Sequence, residues 1–249
     1  MNNDLQLLSG IDIPFIEARL IIHQPTLKEI AYIGEESFFI GCELLHFSKD
    51  NFLKEEDKVN LENKTNFDVL MSILKDKSPS ARKHRIQAMM VLSLMFPDYK
   101  ILVMKDHIGF FKEGEEERVI NNKNYETFKE ILSDMFCLKK MTKQDFSYNP
   151  GDDRAREIAE RFKKGREKAA AAKGESQEQK VSILSRYVSI LTIGQHKNLN
   201  SLLDYTIYQL FDEFNRFELK QNYDIYIKAK MAGAQDLDEV DNWMKDIHS

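Results

Sequence analysis

Between residues 202 and 219, apolar side chains recur at Leu202, Leu203, Ile207, Leu210, Phe211, Phe214, Phe217 and Leu219. Steps of three and four place most of them along one side of an α-helix. Tyr205 and Tyr208 fall partly off the phenylalanine face, so apolar surface extends to more than one side. A helix of this kind has to be covered, either by other helices of the same chain or by a partner. Two assignments follow for Tyr205, Tyr208, Phe211, Phe214 and Phe217. They are the core of a small helical domain, or part of them stays exposed as a protein-binding or self-association surface. Trp243, the single tryptophan, either docks a terminal helix built on Leu237, Val240, Met244 and Ile247 or anchors an interface.

The rest of the chain is mostly helical in pattern, with short strands near its start and middle. Ten glycines and five prolines in 249 residues are few for a loop-rich barrel or sandwich. Residues 11–24 alternate as one or two strands. Thr26 and Glu29 then have capping-box spacing, and Ile30, Ile33, Phe38, Cys42 and Leu45 continue at helical spacing, with Gly34 and Gly41 as breaks. Thr65 with Asp68 offers a second helix start. A further helix covers about 81–96 and stops at Pro97. The period then changes to two: Tyr99, Ile101 and Val103, then Ile108 and Phe110, then residues 118–121 predict an antiparallel meander. Asn124 predicts the cap of the next helix, which carries Phe128, Ile131, Leu132 and Met135.

Composition shifts after Leu138. The expected layout is an α+β domain over 1–140, a charged linker with a solvated helix over 141–180, and an all-α domain over 181–249. Within the last, Asn200 predicts the start of the aromatic helix, the pattern continues through Tyr226 and Ile227, and Gly233 predicts its stop.

No motif for catalysis stands out. There is no phosphate-cradling glycine loop and no GxSxG. A metal-dependent nuclease pattern would need a second acid after Pro97-Asp98, and the following strand has Val103 there, ahead of Lys105. The six histidines are scattered. Cys42 and His46 lie four apart, which is half of a metal site at most, and the two cysteines read as buried free thiols. The expectation is therefore no catalytic residue, no metal and no cofactor. An enzyme with an unrecognised site in the first domain remains a rival, to be judged on whether Asp98, His107 and Glu113 converge.

A net charge of −5 argues against a nucleic-acid partner. The basic run Arg82, Lys83, His84 and Arg85 reads as a solvated helix face. The longest apolar stretch, 88–96, is too short to span a bilayer and the first residues lack a secretory pattern, so the expectation is no membrane partner and a cytosolic setting.

One series of segments carries a resemblance. Leu184-Ser185-Arg186-Tyr187-Val188-Ser189-Ile190-Leu191 is followed by Tyr205-Thr206-Ile207-Tyr208-Gln209-Leu210-Phe211-Asp212-Glu213-Phe214. Then come Tyr223-Asp224-Ile225-Tyr226, Ala232-Gly233-Ala234 and Asn242-Trp243-Met244. In this order they resemble tail-assembly proteins of bacteriophages of Gram-positive bacteria, over 181–249. The resemblance implies a helical chaperone in the host cytoplasm that binds the tape-measure protein and recruits tail-tube protein. The same helices would also suit a structural tail or connector component of the virion.

Overall fold

The computed structural model describes residues 4–48, 63–138, 182–234 and 240–244. The expected charged linker over 141–180, with its solvated helix, lies outside them. The fold is α+β and mostly helical, with two small antiparallel sheets in the first half and helices at the end.

Helix α1 (Asp4–Ser9) leads into a hairpin of β1 (Ile13–Phe15) and β2 (Leu20–Ile22), joined by a 3-10 turn at Ile16–Ala18. Ile13, Phe15, Leu20 and Ile22 point inward, while Pro14 and Ile21 pair on the outer face. The Thr26–Glu29 box forms as expected and starts α2 (Leu27–Ile33). Gly34, at φ 87°, separates α2 from α3 (Glu35–Leu45). Gly41 does not break α3. It lies inside the helix where α5 (Pro79–Met95) crosses, and a Cβ there would come within 2.6 Å of the Gln87 carbonyl oxygen. Thr65 and Asp68 make their box at the start of α4 (Asn66–Lys75), and the Ser78 hydroxyl caps α5.

The meander is present as β3 (Lys100–Val103), β4 (Ile108–Phe111) and β5 (Arg118–Ile120), in that order. Helix α6 (Tyr125–Met135) follows. Asn124 sits at its N-cap position but does not cap it. Its Oδ1 accepts the Asn121 amide at 2.8 Å and its Nδ2 donates to the Val119 carbonyl, which closes the preceding turn instead.

The aromatic segment is not one helix from Asn200. After α7 (Ile183–Gly194), a short α8 (Leu199–Leu203) is capped by Asn198, and a second start at Thr206 opens α9 (Ile207–Met231). Thr206 and Gln209 form a capping box, satisfying amides that a continuous helix would have bonded internally. The reason for the break is tertiary: the Tyr205 carbonyl accepts the Leu27 amide at 2.8 Å, and Thr26 and Thr206 bridge antiparallel. Helix α9 ends at Met231, with Gly233 at φ 87° beyond it. At the far end, residues 240–244 are not helical; Trp243 and Met244 lie in a turn.

One core runs through the described residues. Phe38 stacks edge-on against Phe136 at 5.0 Å, Phe96 meets Phe110 at 4.6 Å, and Tyr187 meets Phe211 at 5.2 Å. Helix α1 packs on α9, α2 on α8, and α6 on α9, so the last helices close over the first.

Candidate functional site

Helix α7 has two useful faces. Leu184, Tyr187, Val188 and Leu191 are buried, as steps of three and four require. Beside them Ser182, Ser185, Ser189 and Thr192 recur at similar steps and line a groove of about 590 Å³. Short side chains leave this space open where leucines would fill it. Thr192 donates its hydroxyl to the Val188 carbonyl at 2.8 Å, which leaves its methyl group as the less polar part.

The opposite wall is α2, with Leu27, Ile30 and Ala31, and the end of the groove is made by Leu199 and Leu203 of α8. Ile193 is 73% exposed and Leu199 50% exposed at its edge. Glu35 closes one end: its carboxylate accepts the amides of Ile183 at 2.8 Å and Leu184 at 3.2 Å, and the Ser182 hydroxyl. The trough is mostly apolar, and the carboxylate at its end is already engaged.

The sequence-predicted contact residues are placed unequally. Tyr208 and Phe211 are core side chains, and burial pushes the Tyr208 phenol well up while its hydroxyl donates to Asp4 at 3.4 Å. Phe214 is half-buried and lies parallel to Tyr187 at 3.8 Å. Phe217, also half-buried, lies over Gly194. Tyr205 is half-buried too; its hydroxyl accepts from Lys197 at 2.8 Å, and Lys197 also pairs with Glu213. Trp243 is half-buried, and its carbonyl accepts from Arg216 at 3.2 Å. Tyr205, Phe214, Phe217 and Trp243 thus retain exposed surface. The groove on α2 and α7–α8 was missed from sequence. The hydroxyl spacing was visible there, but nothing local says that it faces α2.

The residues of the enzymatic rival do not gather. Asp98 pairs with Lys112 at 3.3 Å, Glu113 is exposed in the turn after β4, and His107 sits between Asp106 at 2.8 Å and Glu117 at 3.0 Å. Cys42 is fully buried, and burial followed by the charge of Glu43 pushes its thiol well above the usual range. Among the described residues, no group of three histidine, cysteine or acidic side chains has metal-holding geometry, and no helix is long and apolar enough to cross a membrane.

Residues 175–248 match the family model described as YomV second domain, which covers less than a third of the chain. The match suggests a phage protein. No curated protein and no solved structure matches the chain.

Proposed function

We propose that this chain is a non-catalytic protein-binding factor of phage tail assembly, acting in the host cytoplasm as a chaperone for the tape-measure protein and recruiting tail-tube protein. The observation that carries the reading is the open apolar groove between α2 and α7–α8, edged by Ile193 and Leu199. Long apolar helices are the surfaces such a trough covers, and covering them suppresses their aggregation. The groove lies partly within the segment that matches a phage-type family, which favours a phage setting. Phe214 and Phe217 on α9, with Tyr205 before it and Trp243 beyond it, are the further contact residues of this reading.

The test is capture of tape-measure and tube proteins by tagged chain from infected cells, with protein analysis of purified particles. Capture together with absence from particles supports the chaperone. Fixed copy number in particles would make the chain a structural virion component instead. Ile193→Glu with Leu199→Glu is expected to abolish capture while leaving the fold intact, because both side chains are already exposed.

A further inference from the structure

A second concavity, of about 640 Å³, opens between α4, the β3–β4 turn and the loop from β5 to α6. Its inner wall is apolar: Phe67 and Met71 are buried there, and Phe67 lies against Tyr125 with ring centroids 5.2 Å apart. Its rim is basic. Lys64, Lys75, Lys105 and Lys123 line it, against only two carboxylates, Asp68 and Asp106.

Both carboxylates are hydrogen-bonded, and both also face rim lysines electrostatically: Asp68 faces Lys64 and Lys75, and Asp106 faces Lys105. Asp68 accepts the Thr65 amide at 3.0 Å and the Thr65 hydroxyl at 2.8 Å, completing the cap of α4. Asp106 holds Nδ1 of His107 at 2.8 Å. The Lys75 ammonium donates to the Lys105 carbonyl, which draws the end of α4 and the β3–β4 turn together. Among the described residues, Lys105 and Lys123 have no carboxylate within ion-pair distance. A positive excess is thus concentrated in a concave place on a chain whose net charge is −5.

We propose that this cavity binds a polyphosphate anion, either an inorganic triphosphate or the phosphate chain of a nucleoside triphosphate. The basic groups are all lysines, which act as point charges toward phosphate oxygens. No arginine lines the wall. The amides of Asn121 and Asn122 at the mouth add neutral donors. Lysines spaced around one concavity, outnumbering its two carboxylates, favour an anion that carries several linked phosphates.

The test is titration calorimetry of the full chain with inorganic triphosphate and, separately, ATP. Binding of both that weakens as salt rises from about 0.05 to about 0.2 M is the expected result. Equal affinities assign recognition to the phosphates alone, and tighter ATP binding adds a contact for the nucleoside; both support the site. Lys105→Gln with Lys123→Gln should weaken binding by about tenfold or more without altering Tm, since both side chains are exposed. The matched change Lys77→Gln with Lys83→Gln, outside the cavity, should leave binding unaltered. No binding, an equal loss in both double variants, or capture of a polyglutamate peptide with neither phosphate bound would overturn the proposal.

Discussion

The carboxylate of Glu35, in the first turn of α3, accepts the backbone amide of Ile183, in the first turn of α7, at 2.8 Å. A helix start leaves several amides without intrahelical partners, and here an acid from a distant segment supplies the acceptor. The contact joins the two parts of the chain and closes one end of the groove. Glu35→Ala is expected to cost about 1–2 kcal/mol, read as a lower denaturation midpoint in urea, with fraying reported by exchange of the Ile183 and Leu184 amides. Unchanged protection of those amides would mean that the Glu35 carboxylate is not what holds the start of α7, where the Ser182 hydroxyl accepts only the Ser185 amide.

Gly41→Ala tests the crossing of α3 and α5. The added carbon would lie 2.6 Å from both the Gln87 carbonyl oxygen and Val91 Cγ2. Backbone cannot swing aside as a side chain can, so a loss of about 1–3 kcal/mol is expected in thermal or urea unfolding. A neutral result would mean that the two helices separate at little cost.

Phe211 and Phe214 should separate in their effects. Phe211 is 2% exposed, so Phe211→Ala should cost about 3–5 kcal/mol in equilibrium unfolding. Phe214 is half-buried and packs on Tyr187, so Phe214→Ala should cost less while exposing more of that ring, visible as altered tyrosine fluorescence.

His23 and His107 give stability a pH dependence. Burial lowers the affinity of each ring for a proton, but the flanking carboxylates, Asp12 and Glu29 for His23 and Asp106 and Glu117 for His107, outweigh it. Both values rise above the ordinary 6.5. A raised folded value stabilises fully below the unfolded value and loses that stability as pH rises through the folded one. Tm should therefore fall as pH climbs above 6.5, and His23→Gln with His107→Gln should flatten that fall. Ring proton shifts followed by NMR would report each titration directly.

Cys42 should stay silent toward thiol reagents until the chain unfolds. It is fully buried, and burial raises its thiol far above neutrality, so the reactive thiolate is scarce. Rapid labelling under native conditions would show that α3 opens readily from α5.

What the sequence determined by itself was what lies within a few residues along the chain. The Thr26–Glu29 and Thr65–Asp68 boxes, the stop at Pro97 and the change of period at Tyr99 are local hydrogen-bonding and steric facts, and each forms where its spacing predicts. The Thr206–Gln209 box obeys the same rule. It was hidden because the apolar stripe runs unbroken across it, and only the backbone bond from Leu27 to Tyr205 makes the chain stop and restart there. Hydrophobic spacing marked Phe211, Phe214 and Phe217 as one face, yet it could not say how deeply each would be covered. That depends on α1, α6 and α7 packing against α9 from elsewhere in the chain. Gly41 read as a helix breaker, and tertiary structure made it the seat of a helix crossing. The groove, the Glu35 cap and the lysine-rimmed cavity each combine segments distant in sequence. Their chemistry is written in residue types, but their existence depends on long-range packing that no local pattern encodes.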